Sequence, residues 1–190
     1  MTKYREKIIV LDPGHGSTRG VLGYDPGCVH GDRTEADANL EMAATLKFLL
    51  VGRGFRVVLT HDGNDGPKPD LSWRTRMAAG LSAAALISLH WDMVFKPSRH
   101  RSGVYYAPGE PSRRLAQLIA PTLKQGAASW CEPSSHSRFK GLYIDAFPDS
   151  RPAVMIEFDS LMHAPPTGTA GKAARIAMLT PIAEAIARAL

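Results

Sequence analysis

Lys7 to Asp12 (KIIVLD) carries an uninterrupted apolar run, rich in β-branched residues, between two charged ones. A strand with one wet face alternates apolar with polar, so an unbroken run belongs to a strand covered on both faces. Covering both faces takes helices above and below the sheet, which confines the chain to the α/β class. The rest of the sequence repeats the theme. Phe55 to Thr60 (FRVVLT), Ala84 to His90 (AALISLH), Gly103 to Ala107 (GVYYA), Gly141 to Asp145 and Ala153 to Phe158 (AVMIEF) read as five further strands. The expected fold is therefore α/β, a mostly parallel, mixed sheet of about six strands with helices on both faces, one strand turned antiparallel by the short stretch before the last.

The segments between these runs have helical punctuation. Thr34 caps a helix, with Asp37 closing a weak capping box; Leu40, Ala43, Ala44, Phe48 and Leu49 fall at helical spacing, and Gly52 and Gly54 stop it. Leu71 to Leu81 reads as a second helix. Ser112 to Gln125 reads as a third, interrupted near Pro121, and Lys172 to Leu190 as a last one, kinked or restarted at Pro181. No internal repeat or linker divides the 190 residues, a length that suits one core. Residues 1–190 are accordingly expected to form a single domain.

Lys and Arg outnumber Asp and Glu by 23 to 18, a net charge of +5, which favours an anionic partner without choosing one. Cys28 and Cys131 are the only cysteines and form no zinc-finger ladder; two free thiols are expected over one disulfide. The apolar run at the N-terminus is too short for a signal-peptide core and ends in Asp12-Pro13-Gly14, and no stretch reaches the length of a membrane span. No export signal and no stable membrane insertion are therefore expected.

Ligands of open α/β sheets bind beyond the carboxyl ends of the strands. The first strand runs into Asp12-Pro13-Gly14-His15-Gly16, the third ends on Ser88-Leu89-His90, the last carries Glu157, and Glu35 opens the first helix. Two histidines and two carboxylates thus converge on one rim, the stock that zinc hydrolysis needs: imidazole and carboxylate ligands, an open position, and a second carboxylate as base. Separations of 20 and 55 residues form no local motif. His15 between glycines also suits a surface loop, and His90 a satisfied buried histidine. Glu35 alone also suits a favourable charge at a helix N-terminus. Glu157 is harder to place as a structural residue, because a carboxylate in an apolar strand needs a partner, a proton or a metal. Which carboxylate binds metal stays open on this reasoning. His30, His61, His100, His136 and His163 lie in polar or Pro-rich loops and are expected to be solvated, as is the Arg99-His100-Arg101 cluster. Gly14-x-Gly16-x-x-x-Gly20 misses a dinucleotide loop by one place, and no nucleophile elbow occurs.

The segments IIVLDPGHG, YDPGCVHGDRTEADANLEMA, GFRVVLTHD, ALISLHWD and RPAVMIEFDSL, in this order, resemble the zinc-dependent N-acetylmuramoyl-L-alanine amidases of the Amidase_3 type. The resemblance runs from Lys7 to about Leu161. It implies His15, Glu35 and His90 as ligands of Zn2+ and Glu157 as the catalytic carboxylate. It also implies cleavage of the amide joining the lactyl group of N-acetylmuramic acid to the L-alanine of the peptidoglycan stem peptide.

The chain departs from the pattern at Trp91 and Asp92, where the family has a small residue and Asn, so contacts beside the metal are expected to differ. The Asn that commonly follows the late Glu is absent as well. The interval of 67 residues from His90 to Glu157 is filled by two expected strands and a helix, leaving little room for an autoinhibitory helix. A phage lysis enzyme (endolysin) or an excised catalytic domain is the expected context, acting as a monomer on the cell wall after release from the cytoplasm. The competing readings are a peptidoglycan-binding module of amidase fold that does not cleave, and a nucleic-acid binder. The latter has only its charge in favour and no motif.

Overall fold

The computed structural model describes residues 7–16, 23–63, 69–92, 102–123 and 129–190. The chain runs β1 (Ile8–Pro13), β2 (Val29–His30), β3 (Arg33–Thr34), α1 (Glu35–Val51), β4 (Arg56–Leu59), α2 (Leu71–Gly80), β5 (Ala85–Asp92) and β6 (Gly103–Tyr106). It continues through α3 (Glu110–Ile119), β7 (Trp130–Pro133), β8 (Ala153–Ser160) and α4 (Lys172–Ala189). Six strands form one sheet in the order β4-β1-β5-β8-β6-β7; β2 and β3 pair separately as a small antiparallel hairpin. Within the sheet β6 and β8 alone are antiparallel, the other pairs being parallel. This is the expected mixed α/β architecture.

The unbroken apolar runs are covered on both faces, as their composition requires. Ile9, Leu11, Ile87, Leu89, Val154 and Ile156 pack beneath α1, α3 and α4. Val10, Leu86, Ala153 and Met155 face the other way, against Ala78 of α2 and against Ile144 and Phe147. Each such buried aliphatic side chain contributes about 1.5–3 kcal/mol. Thr34 caps α1 as its spacing implied, its Oγ1 accepting the Asp37 N–H at 3.1 Å.

One strand reading changes. Gly141–Asp145 is not a strand but leads into a 3₁₀ turn, Tyr143–Ala146. Asp145 explains the difference: its Oδ2 accepts the Leu142 N–H at 3.0 Å and its own N–H donates to Leu142 O, local bonds that replace a ladder. The sixth strand is instead β7, an edge strand short enough to tolerate Pro133. The third helix is interrupted near Pro121 as expected, α3 ending at Ile119 ahead of a 3₁₀ turn, Ala120–Leu123, and Pro181 lies inside a continuous α4.

Candidate metal centre

The site begins with the turn after β1. The Gly14 N–H donates to Leu89 O at 2.9 Å, tying the turn to the end of β5. The His90 imidazole packs against Gly14, where a Cβ would fall 2.1 Å from its Cε1, so only glycine admits the ring. His15 sits at φ +62°, in the left-handed region that residues with a β-carbon seldom adopt.

A buried arginine holds this turn in place. Arg74 of α2 is fully enclosed; its Nη1 donates to Asp12 Oδ1 at 2.7 Å and to Pro13 O at 2.9 Å, and its Nη2 to His15 O at 2.8 Å. Asp12 is also buried and accepts from Thr60, from Ser88 at 3.4 Å and from the Tyr143 hydroxyl, whose oxygen lies 2.7 Å from Ser88 Oγ. His61 Nε2 bonds the Pro13 carbonyl at 2.8 Å. Beneath the histidines lies a polar layer that fixes the backbone carrying them.

Glu35, the first residue of α1, reaches across the gap between the histidines. Its Oε2 lies 3.1 Å from His15 Nε2, and its Oε1 lies 2.9 Å from His90 Nδ1. The carboxylate also accepts from the backbone N–H of Cys28 at 3.1 Å and of Trp91 at 3.2 Å. Burial would raise the Glu35 pKa, but hydrogen bonds and charge from the two histidines hold it well below the usual carboxylate range. His15 moves the other way. Burial alone would lower its pKa, and the carboxylates of Glu35 and Asp25 raise it.

Glu157 stands beside His90 in the parallel β5–β8 register, both leaving the sheet on one face. Desolvation, with the charges of Glu35 and Asp92 adding to it and the histidines opposing it, pushes its pKa up to about 7. Neither protonation state of this carboxyl is out of reach near neutral pH.

The donor set suits zinc. One ligand atom each from His15, Glu35 and His90 lies within 4.8 Å of the others. Asp25 Oδ2 sits 3.0 Å from His15 Nδ1, the outer-shell carboxylate that leaves Nε2 as a lone-pair donor. Three protein donors leave a fourth position open.

Every residue singled out from the sequence for metal or catalysis thus lies at this rim. Sequence reasoning missed Asp25, Asn39, Arg74 and Tyr143. Asn39 Nδ2 donates to Gly14 O at 3.0 Å, one turn along α1 from Glu35, a spacing that could have flagged it. Arg74 and Tyr143 carry no local signal. One expectation fails. His61 is buried rather than solvated, because its ring fills the space against Gly16, where a Cβ would meet its Cε1 at 2.3 Å. Trp91 is turned away from the rim into the core, its ring 5.3 Å from that of Phe158, so it offers the site only its backbone N–H. His163 is half-buried against Asp159 at 3.0 Å, His30 and His136 are exposed, and Arg99, His100 and Arg101 lie outside the described residues. Cys28 and Cys131 are both free; burial first, then Glu35, pushes the Cys28 thiol up to about 12, and it stays protonated.

Residues 9–190 match the family model described as N-acetylmuramoyl-L-alanine amidase. The germination-specific N-acetylmuramoyl-L-alanine amidase of Bacillus subtilis is 28% identical over 153 residues, which are 73% of this chain and 60% of that protein. The amidase AmiC of Neisseria meningitidis is 32% identical over 102 residues, 53% of this chain and 23% of its own length. The chain therefore spans less than two thirds of these relatives. Among solved structures, the CwlD amidase of Clostridioides difficile, determined in complex with the GerS lipoprotein, superposes with a TM-score of 0.71 at 20% identity, covering 95% of this chain and 98% of that one. Cwp6 of Clostridium difficile gives 0.74 at 21%, over 98% of this chain and 30% of that one.

Proposed function

The chain belongs to the N-acetylmuramoyl-L-alanine amidase family (Amidase_3), and from that premise we propose that it is a zinc-dependent hydrolase of the amide between N-acetylmuramic acid and L-alanine in peptidoglycan. Residues 1–190 act as one catalytic domain, a monomer working at the bacterial cell wall; no helix among the described residues is long and apolar enough to cross a membrane. One observation carries the reading: the donors of His15, Glu35 and His90 cluster within 4.8 Å, with Glu157 in register beside His90.

His15, Glu35 and His90 would hold the ion, and zinc there supplies Lewis-acid polarisation of a carbonyl and acidification of water. The protein's own residues do the rest. Asp25 keeps the His15 proton on Nδ1, leaving Nε2 free to ligate. The Glu157 carboxylate takes the proton of the attacking water and returns it to the nitrogen of the departing L-alanine, as the C–N bond breaks and the lactyl carboxylate forms. A pKa near 7 in a partly buried position suits a group that must both accept and give that proton.

Purified peptidoglycan digested by this protein is expected to gain free amino groups on L-alanine while its glycan strands stay intact, and a chelator is expected to abolish the reaction. New reducing sugar ends, or digestion indifferent to chelator, refute the proposal. The ligand set has its own test in elemental analysis. The protein is expected to carry about one zinc per chain, and His15→Ala and His90→Ala to lose most of it. Full zinc in both variants removes these histidines from the site.

A further inference from the structure

Directly beyond Glu157 the sheet carries a feature that metal chemistry does not use. Gly103 of β6 is the register partner of Glu157 on one side and of Trp130 in β7 on the other. His90, Glu157, Gly103 and Trp130 therefore form one row across the carboxyl rim of β5 and β8, with their side-chain positions on the same face. Trp130 lies two strand spacings from Glu157, about 10 Å.

The missing side chain at Gly103 determines what fills that interval. A Cβ there would fall 2.0 Å from Trp130 Cδ2 and 2.1 Å from Cε2, so the indole lies over the glycine, inclined from β7 toward the row's catalytic end. Tyr105, two residues along β6 on the same face, supports it from below, ring centroids 4.3 Å apart at 52°. Both aromatic residues remain partly exposed. The buried cluster on this face includes Val10, Leu86, Ala153, Met155, Ile144 and Phe147, with Tyr105 packed against it; Trp130 is not part of that cluster. What remains is a flat aromatic surface at the level of the reacting groups, held by a second ring and open to solvent.

We propose that the Trp130 indole, seated over Gly103 and backed by Tyr105, is the platform on which the pyranose ring of the substrate's N-acetylmuramic acid stacks, fixing the sugar side of the scissile amide against Glu157. The proposal rests on the amidase reading and specifies which half of the substrate this surface takes. A saturated pyranose presents a face of C–H groups that matches the electron-rich face of an indole, whereas an extended peptide is held chiefly through its backbone hydrogen bonds. A wide planar surface supplies the first kind of contact and lacks the second.

Trp130→Ala is expected to raise KM for soluble muramoyl-peptide fragments about tenfold with kcat within about twofold, at unchanged zinc content and melting temperature. Trp130→Phe is expected to recover most of the loss. An activity-independent readout is calorimetric titration with a GlcNAc–MurNAc disaccharide lacking peptide: the wild type binds it, and Trp130→Ala binds it at least several-fold more weakly. A free stem peptide serves as the control ligand and is expected to bind both proteins alike. Unchanged KM and unchanged disaccharide binding in Trp130→Ala overturn the platform, and so does a variant that loses the stem peptide while keeping the disaccharide. A wild type that binds the disaccharide through Trp130 without cleaving peptidoglycan would instead refute the amidase reading and leave the platform standing.

Discussion

Glu157→Gln is expected to retain its zinc and to lose amide hydrolysis by a factor of about 10² to 10⁴, the usual contribution of a positioned acid–base group. Glutamine keeps the shape and the neighbours of the carboxyl but neither accepts nor returns a proton. The fold is not expected to suffer. Burial holds the Glu157 pKa near 7, so its ionised form is a cost to the folded chain that glutamine does not carry. Melting temperature, zinc content and initial rate measured together separate a lost base from a lost fold. Glu35→Gln is the companion variant. Glu35 spans both histidines, so its replacement is expected to weaken zinc itself. If Glu157→Gln loses the metal and Glu35→Gln keeps it, the two carboxylates have exchanged roles.

Arg74→Ala is expected to cost about 3–5 kcal/mol of stability, the penalty for stranding a buried charge whose partner is removed. Asp12, to which Arg74 donates at 2.7 Å, would keep only hydroxyl partners, and the carbonyls of Pro13 and His15 would lose a donor at once. For a domain of this size each kcal/mol corresponds to roughly 2–4 °C, so the melting temperature is expected to fall by about 6–20 °C. Zinc affinity should fall with it, because His15 occupies its left-handed conformation only while the turn is held. A melting temperature within about 2 °C of wild type would show that the polar layer is not what keeps the turn in place.

These two residues also mark how far the sequence could be read. Glu157 was legible because a carboxylate within AVMIEF contradicts its surroundings, and that contradiction is visible in one dimension. His15, Glu35 and His90 were legible through the rule that strand ends share a rim. Arg74 was not, since its polar and Pro-containing neighbourhood gives an arginine every reason to be solvated; only the fold brings α2 under the β1 turn. Tyr143 was misread with its whole segment, because GLYID has strand-like composition while Asp145 satisfies the backbone locally. Trp130 escaped because a four-residue edge strand has too little periodicity to announce itself. The assignment of Glu35 rather than Glu157 to the metal came from family resemblance, and periodicity had nothing to say about it.

The sheet order β4-β1-β5-β8-β6-β7 has a consequence in time as well as in space. The last strand of the chain, β8, is inserted between β5 and β6, so during synthesis the sheet exists as two unjoined parts until Ala153–Ser160 has left the ribosome. The parts on either side expose backbone edges that pair with nothing until β8 arrives, and a late, long-range closure of this kind folds slowly. Glu157 travels on that closing strand. The carboxyl proposed for proton transfer therefore joins the histidines in the same event that completes the sheet, and a nascent or truncated chain lacking β8 has the histidines without it.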